Sequence, residues 1–308
     1  MPKAKITVVG SSNIDYAMRM TRLPRPGETI TDAEFLQTFG GKGANQAIAA
    51  ARAGGDTWFV SCVGDENLAD RMIAGFMNDG IHTDYVFREK GCPSGTALIM
   101  TGEGGENYLA VAPGANYRLS PLQIEQAAGA LEDSSMIVVQ CEIAPETLLF
   151  AMKTARSLAI PVMLNYAPVR TRMPELLGLA TVLVVNESEA LNLTGIEITC
   201  THDASKAAEL LRGMGARTVV ITLGSAGAWA SSHQLRGHIP SFAVDVVDTT
   251  AAGDTFCGAL AVGLAEERSL DVALRFASAA AALTVTRMGA QPSIPLRTDI
   301  DSLLQRVC

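Results

Sequence analysis

Residues 246–256, VVDTTAAGDTF, set two carboxylates, Asp248 and Asp254, around Thr-Thr-Ala-Ala-Gly. Such a run opens a helix and leaves its first N–H groups uncovered by bulky side chains. The several N–H groups of Thr-Ala-Ala-Gly would then make an anion hole, reinforced by the helix dipole. Asp254 falls in the first turn, beside that hole. As a cap it needs no further explanation. As a resident next to a stored phosphate it is poorly placed, since the two repel. It fits a base that takes a proton from a hydroxyl as that hydroxyl attacks a phosphoryl group.

Three further stretches bear polar groups at element ends. FGGKGANQAIAAARAG (39–54) offers two glycines for close approach to a ligand, with Lys42 as a cation and Asn45 as a two-way hydrogen-bonder. It reads equally as a glycine turn before a helix that packs through small residues. NESE (186–189) puts Asn186 and Glu189 on one helical face, either to hold hydrated Mg²⁺ or to cap the helix. ITLGSAG (221–227) reads as a nucleotide cradle or as a hairpin turn into AWASS. The sequence has no G-x-x-x-x-G-K-[ST], G-x-S-x-G or H-E-x-x-H. Its four histidines suggest no metal or triad site, and its six cysteines, Cys308 among them, have no zinc spacing.

The elements that would position these groups alternate. KITVVG, SCVGDE, MIVVQCE, PVMLNYAP, TVLVVNESE and TVVITLGSAG read as buried strands with polar or glycine ends. Helical patterns separate them. This predicts an α/β fold with a doubly wound, mostly parallel sheet flanked by helices. Ligands then bind beyond the carboxyl ends of the strands, where Asn13, Asp15, Glu142, Asn165, Asn186, Glu189, Thr222, Gly224, Asp248 and Asp254 all fall. Residues 14–38 and 95–111 break the rhythm and read as antiparallel excursions, a small β lid with Gly-Glu-Gly-Gly at one tip. With no linker or repeat, residues 1–308 are expected to form one domain carrying that lid.

The 308 residues are 48% hydrophobic and 18% charged, with net charge −8 and no basic run. Nucleic-acid and membrane-surface binding are therefore not expected. Without a signal-like or membrane-spanning stretch, and with cysteines in apolar strands, a cytoplasmic, reducing location is expected.

GGKGANQA, NESE and DTTAAGDTFCGA together, over nearly the whole chain, resemble the PfkB carbohydrate kinase family. The resemblance implies a ribokinase-like fold and ATP-dependent phosphorylation of the 5-hydroxyl of D-ribose, with Mg²⁺ as cofactor and K⁺ as activator. It implies Asp254 as base and Ala251, Ala252 and Gly253 as anion hole. Asn13, Asp15, Gly41, Lys42, Asn45, Glu142 and Asp254 match sugar-binding positions. Asn186, Thr222, Gly224, Gly227, Gly253 and Ser278 match nucleotide-side positions, and Glu189 the carboxylate that organises Mg²⁺ through water. Asp248, Thr250, Thr284, Arg287, Gly289 and Ser293 match monovalent-cation ligands, several through carbonyls. A homodimer through the lid is also implied.

Tyr166 departs from the family's usual proline, and Ser278 from a histidine or asparagine. Relatives acting on 2-deoxyribose tend to carry an apolar residue at Asn13, so Asn13 favours a 2-hydroxyl. Arg19, Arg22 and Arg25 would suit a sugar phosphate or simply solvate the lid. Another sugar, a nucleoside, or a non-catalytic sugar sensor are the competing readings. Aromatics at only 5% disfavour a nucleoside site.

Overall fold

The computed structural model describes residues 3–104, 106–169 and 173–306. Cys308 and Gly105, at the expected hairpin tip, lie outside them. The strands in chain order are β1 (Lys5–Val9), β2 (Asn13–Met20), β3 (Glu34–Gly40), β4 (Asp56–Val63), β5 (His82–Arg88), β6 (Gly95–Gly102), β7 (Asn107–Ala112), β8 (Met136–Gln140), β9 (Val162–Asn165), β10 (Val182–Asn186), β11 (Thr218–Thr222), β12 (Ala228–Ser231) and β13 (Arg236–Ile239). The main sheet runs β13-β12-β11-β10-β9-β8-β1-β4-β5. It is parallel except at β12 and β13. The predicted doubly wound sheet is what forms.

β5 was not legible as a strand. Its HTDYVFR mixes polar and apolar residues because it is an edge strand, covered less than the centre. Central β8, MIVVQ, is buried at every position, as a strand covered on both faces must be. Ile6, Val8 and Val138 face one layer, with the helices Lys42–Arg52, Ala252–Ala265 and Leu270–Thr284. Val9, Ile137 and Val139 face the other, with Pro145–Ser157 and Thr201–Gly213. Each such side chain contributes about 1.5–3 kcal/mol through burial.

A four-stranded lid sheet, β3-β2-β6-β7, forms where the two excursions were expected. Its outer pairs are antiparallel. The two excursions join through a parallel β2–β6 pairing. The stretch SPLQIEQAAGALED forms two short helices, Pro121–Gln126 and Ala128–Leu131, divided at Ala127. No helix among the described residues is long and apolar enough to cross a membrane.

The helix Ala252–Ala265 is buried from Asp254 to Gly263. It crosses the helix Lys42–Arg52 at Gly258, where a Cβ would lie 2.6 Å from both the Gln46 carbonyl oxygen and Ala49 Cβ. Only glycine permits that approach. Through it, the first turns of the two helices meet at the strand ends.

Candidate active site

Asp254 stands at that meeting point, in the first helical turn and only 8% exposed. Asn45 Nδ2 donates to its Oδ2 at 2.9 Å. Gln46 Nε2 donates to its Oδ1 at 3.0 Å. Ala251 takes the left-handed conformation at the helix N-cap (φ 62°) and turns the chain into the helix. Of the three expected anion-hole amides, that of Ala252 instead donates to the Thr249 carbonyl, at 3.3 Å.

Two cavities share a wall here. One, of about 240 Å³, is lined by Lys42, Asn165, Asn186, Glu189, Asp254 and Cys257, among others. The other, of about 600 Å³, is mostly apolar and takes in Gly224, Gly227, Phe242, Val244, Phe256 and Ser278. Thr222, Thr249, Ala252 and Gly253 line both. ITLGSAG forms the turn it was read as, a 3₁₀ turn, Gly224–Ala226, into antiparallel β12, and that turn also borders the larger cavity.

Lys42, matched to the sugar positions, lines the smaller cavity together with Asp254. Attraction to Asp254, then to Glu142 and Glu189, raises the pKa of its ammonium against the opposing effect of burial. Glu189 and Asn186 form a reciprocal cap, each accepting the other's backbone N–H at 2.8 Å. Burial raises the pKa of the Glu189 carboxyl all the same. The cap and the cavity-facing carboxylate are thus one arrangement.

The expected sugar residues gather beneath the lid. Gly41 has φ 91°, and a Cβ there would meet the Asn13 nitrogen at 2.8 Å. Its close approach is to the chain at Ser12–Asn13, not only to a ligand. Glu142 Oε2 accepts Ser11 Oγ at 2.6 Å and the Lys42 N–H at 3.0 Å. Asn13 Oδ1 accepts from Asn116 Nδ2 at 2.8 Å. Asp15 is pushed up to about 7 by burial, then by Glu142 and Asp254. Asp15 Oδ1 and Asn45 Oδ1 are buried acceptors with no donor. Acceptors left unpaired in this way cost free energy unless a ligand brings O–H or N–H groups. A polyol brings several.

Asp248 accepts from the Thr250 amide (2.9 Å), the Thr250 hydroxyl (2.6 Å) and the Gly289 amide (2.9 Å). Burial alone would raise its pKa, but these donors hold it below the usual value. They join two of the segments expected to hold a monovalent cation. The hydroxyls of Thr284 and Ser293 bond within their own turns, to Ala280 and Ala290. Arg287 faces Asp299 at 3.6 Å. Among the described residues no three His, Cys, Asp or Glu side chains cluster as a metal site.

Gln46, Gln140 and Asn116 carried no signal of their own in the sequence, and Asn165 was legible only as a polar strand end. Tyr166 is buried, with its hydroxyl accepting the Met173 N–H at 2.7 Å. Arg22 pairs with Glu28 inside the lid. Arg19 donates to Met288 Sδ at 2.8 Å. The described cysteines are free, and burial drives the Cys257 thiol well above its ordinary pKa.

The profile of the pfkB family carbohydrate kinases matches residues 3–297. The chain is 38% identical to a ribokinase of Haemophilus influenzae, over 97% of this chain and 98% of that one. It is 34% identical to a deoxyribokinase of Salmonella typhimurium, over 94% and 95%. Its structure superposes on Arabidopsis thaliana ribokinase complexed with ribose and ATP with a TM-score of 0.89, at 33% identity over 99% of each chain.

Proposed function

The chain belongs to the pfkB family of carbohydrate kinases, and from that premise we propose that it transfers the γ-phosphoryl group of ATP to the 5-hydroxyl of D-ribose, with Asp254 as general base. One observation carries the reading: a buried carboxylate, both oxygens held by amides, at the helix start where two cavities share a wall. The apolar cavity suits a nucleoside, and the smaller one its phosphates. Asp254 takes the proton of the hydroxyl as the oxygen–phosphorus bond forms and the bond to the ADP oxygen breaks. First-turn amides and Lys42 face the charge that develops on the phosphoryl oxygens. Asp15, Asn45, Glu142 and Asn13 bind the sugar, and the unpaired acceptors of Asp15 and Asn45 ask for a hydroxyl-rich ligand.

Mg²⁺ fits at Glu189, which faces the phosphate cavity with a carboxylate that a cation would relieve of its burial. With a single protein carboxylate, Mg²⁺ would keep waters and phosphate oxygens as its other ligands and neutralise phosphate charge. K⁺ fits beside the segments that Asp248 joins. We read residues 1–308 as one catalytic unit working as a cytoplasmic homodimer through the lid.

The test is a panel of D-ribose, 2-deoxyribose and nucleosides with ATP, read by ADP release. Asp254→Asn should lose turnover by several orders of magnitude while ribose binding, followed by calorimetry, persists. Preference for ribose over 2-deoxyribose should fall at least about tenfold in Asn13→Leu, the cost of one lost hydrogen bond. Near-normal turnover in Asp254→Asn would remove the base assignment, and a stronger rate on 2-deoxyribose would move the chain to the other sugar.

A further inference from the structure

We propose that Gln46 is a positioning residue that holds Asp254 by Oδ1 and leaves Oδ2 to meet the sugar hydroxyl. The proposal rests on the reading of Asp254 as base. Gln46 is fully buried and reaches the site through Asp254. Its Nε2 divides its hydrogens between Asp254 Oδ1 and Asn165 Oδ1, both at 3.0 Å. Its Oε1 accepts from Gln140 Nε2 at 2.7 Å. Gln140, on β8, is itself fully buried.

The direction of this chain of amides follows from its fixed end. Asn165 Nδ2 donates to the Val184 carbonyl at 3.2 Å. A carbonyl only accepts, so the Asn165 nitrogen must face it and its oxygen must face Gln46. Gln46 therefore turns its nitrogen toward Asn165 and Asp254. The reverse orientation would aim an amide oxygen at both the Asn165 oxygen and the carboxylate, while Gln140, whose own Oε1 is unpartnered, could pair with either end of Gln46. A backbone carbonyl of β10 thus sets, through two side chains, which polarity Asp254 meets.

The two Asp254 oxygens differ for this reason. Oδ2 is held by Asn45, whose own Oδ1 has no donor. That amide can re-pair when sugar hydroxyls arrive. Oδ1 is held by a group whose three hydrogen bonds are all made within the fold. An anchored oxygen fixes the rotamer, and with it the line from the other oxygen to the attacking hydroxyl. Misplacement of a reacting group by about 1 Å costs on the order of 10²-fold in rate.

Three variants test this: Gln46→Met, Gln46→Glu and Gln140→Met. Turnover, KM for both substrates, ribose affinity without ATP, and melting temperature are measured for each. Gln46→Met should lower kcat by on the order of 10²-fold and leave both KM values and ribose affinity within about twofold. Gln140→Met, one side chain removed from the carboxylate, should lower kcat several-fold with the same unchanged KM values. In Gln46→Glu the new carboxyl donates O–H to Asp254 when protonated and repels it when ionised. Its kcat, relative to wild type, should fall as pH rises. Asp15, Glu142, Glu189 and Lys42 face the same site in both proteins, so the ratio removes their titration. Unchanged kcat in both Met variants, kcat and ribose affinity falling together, or a Gln46→Glu ratio flat in pH each overturns the proposal. If Asp254→Asn loses turnover while Gln46→Met keeps it, only this inference fails. If Asp254→Asn keeps turnover, the base assignment itself fails.

Discussion

Asp15 shows how one residue's environment makes a prediction. Burial, then Glu142 and Asp254, push its carboxyl up to about 7. Unfolded, it would titrate near 3.8. Between those values the folded chain binds more protons than the unfolded one, so stability falls as pH rises through that window. The penalty is absent below about pH 4 and complete above about pH 7. Asp15→Asn should therefore raise the free energy of unfolding at pH 8 by roughly 2–4 kcal/mol, with the gain vanishing near pH 4 in denaturant titrations. Sugar hydroxyls favour the ionised form, so the wild-type KM for ribose should rise as pH drops below 7. A gain independent of pH, or a flat KM, would show that Asp15 is not the strained acceptor described. Asp15 was legible as a polar residue after β1. Its unpaired oxygen was not, because Glu142 and Asp254 reach it from distant parts of the chain.

At the scale of elements, the geometry around Asp254 is made by helix starts and by the contacts between them. Gly258 lets two helices approach until Asn45 and Gln46 reach Asp254. The same logic governs the expected cation site. Asp248 ties the segment at Thr250 to the one at Gly289, and Val285 O accepts the N–H groups of Val247 and Asp248. A monovalent ion held by these segments would brace the entry to the helix Ala252–Ala265. Turnover should then be several-fold faster in K⁺ than in Na⁺ at equal ionic strength, and equal rates would remove the cation from the account. The signature DTTAAGDTF was readable because helix-start chemistry is local. The partner of Asp248 was not, since Gly289 lies forty-one residues on.

For the whole molecule the lid supplies the largest exposed sheet, β3-β2-β6-β7, outside the main sheet. Met18, Phe35, Leu98 and Tyr108 stand exposed on one face of its sheet, while Asp15 and Ala97 turn to the other face. An apolar sheet face of this kind is more than a monomer normally leaves in water. With the homodimer proposed above, Leu98→Glu should convert a dimer to a monomer in sedimentation velocity while the melting temperature changes little. A wild-type chain that sediments as a monomer would sink the dimer.

The alternating elements, the lid segments and the helix start bearing Asp254 are written in the amino-acid order alone, because each depends on residues close together in the chain. Hydrophobic runs, small residues and turn chemistry act over a few positions. Folding in three dimensions is what sets Gln46 and Asn45 on separate oxygens of Asp254, brings Lys42 to the smaller cavity, and gives the two cavities a common wall at Thr222, Thr249, Ala252 and Gly253. Those relations depend on how strand ends and crossing helices meet, and side chains brought together by that packing leave no regular spacing in the sequence.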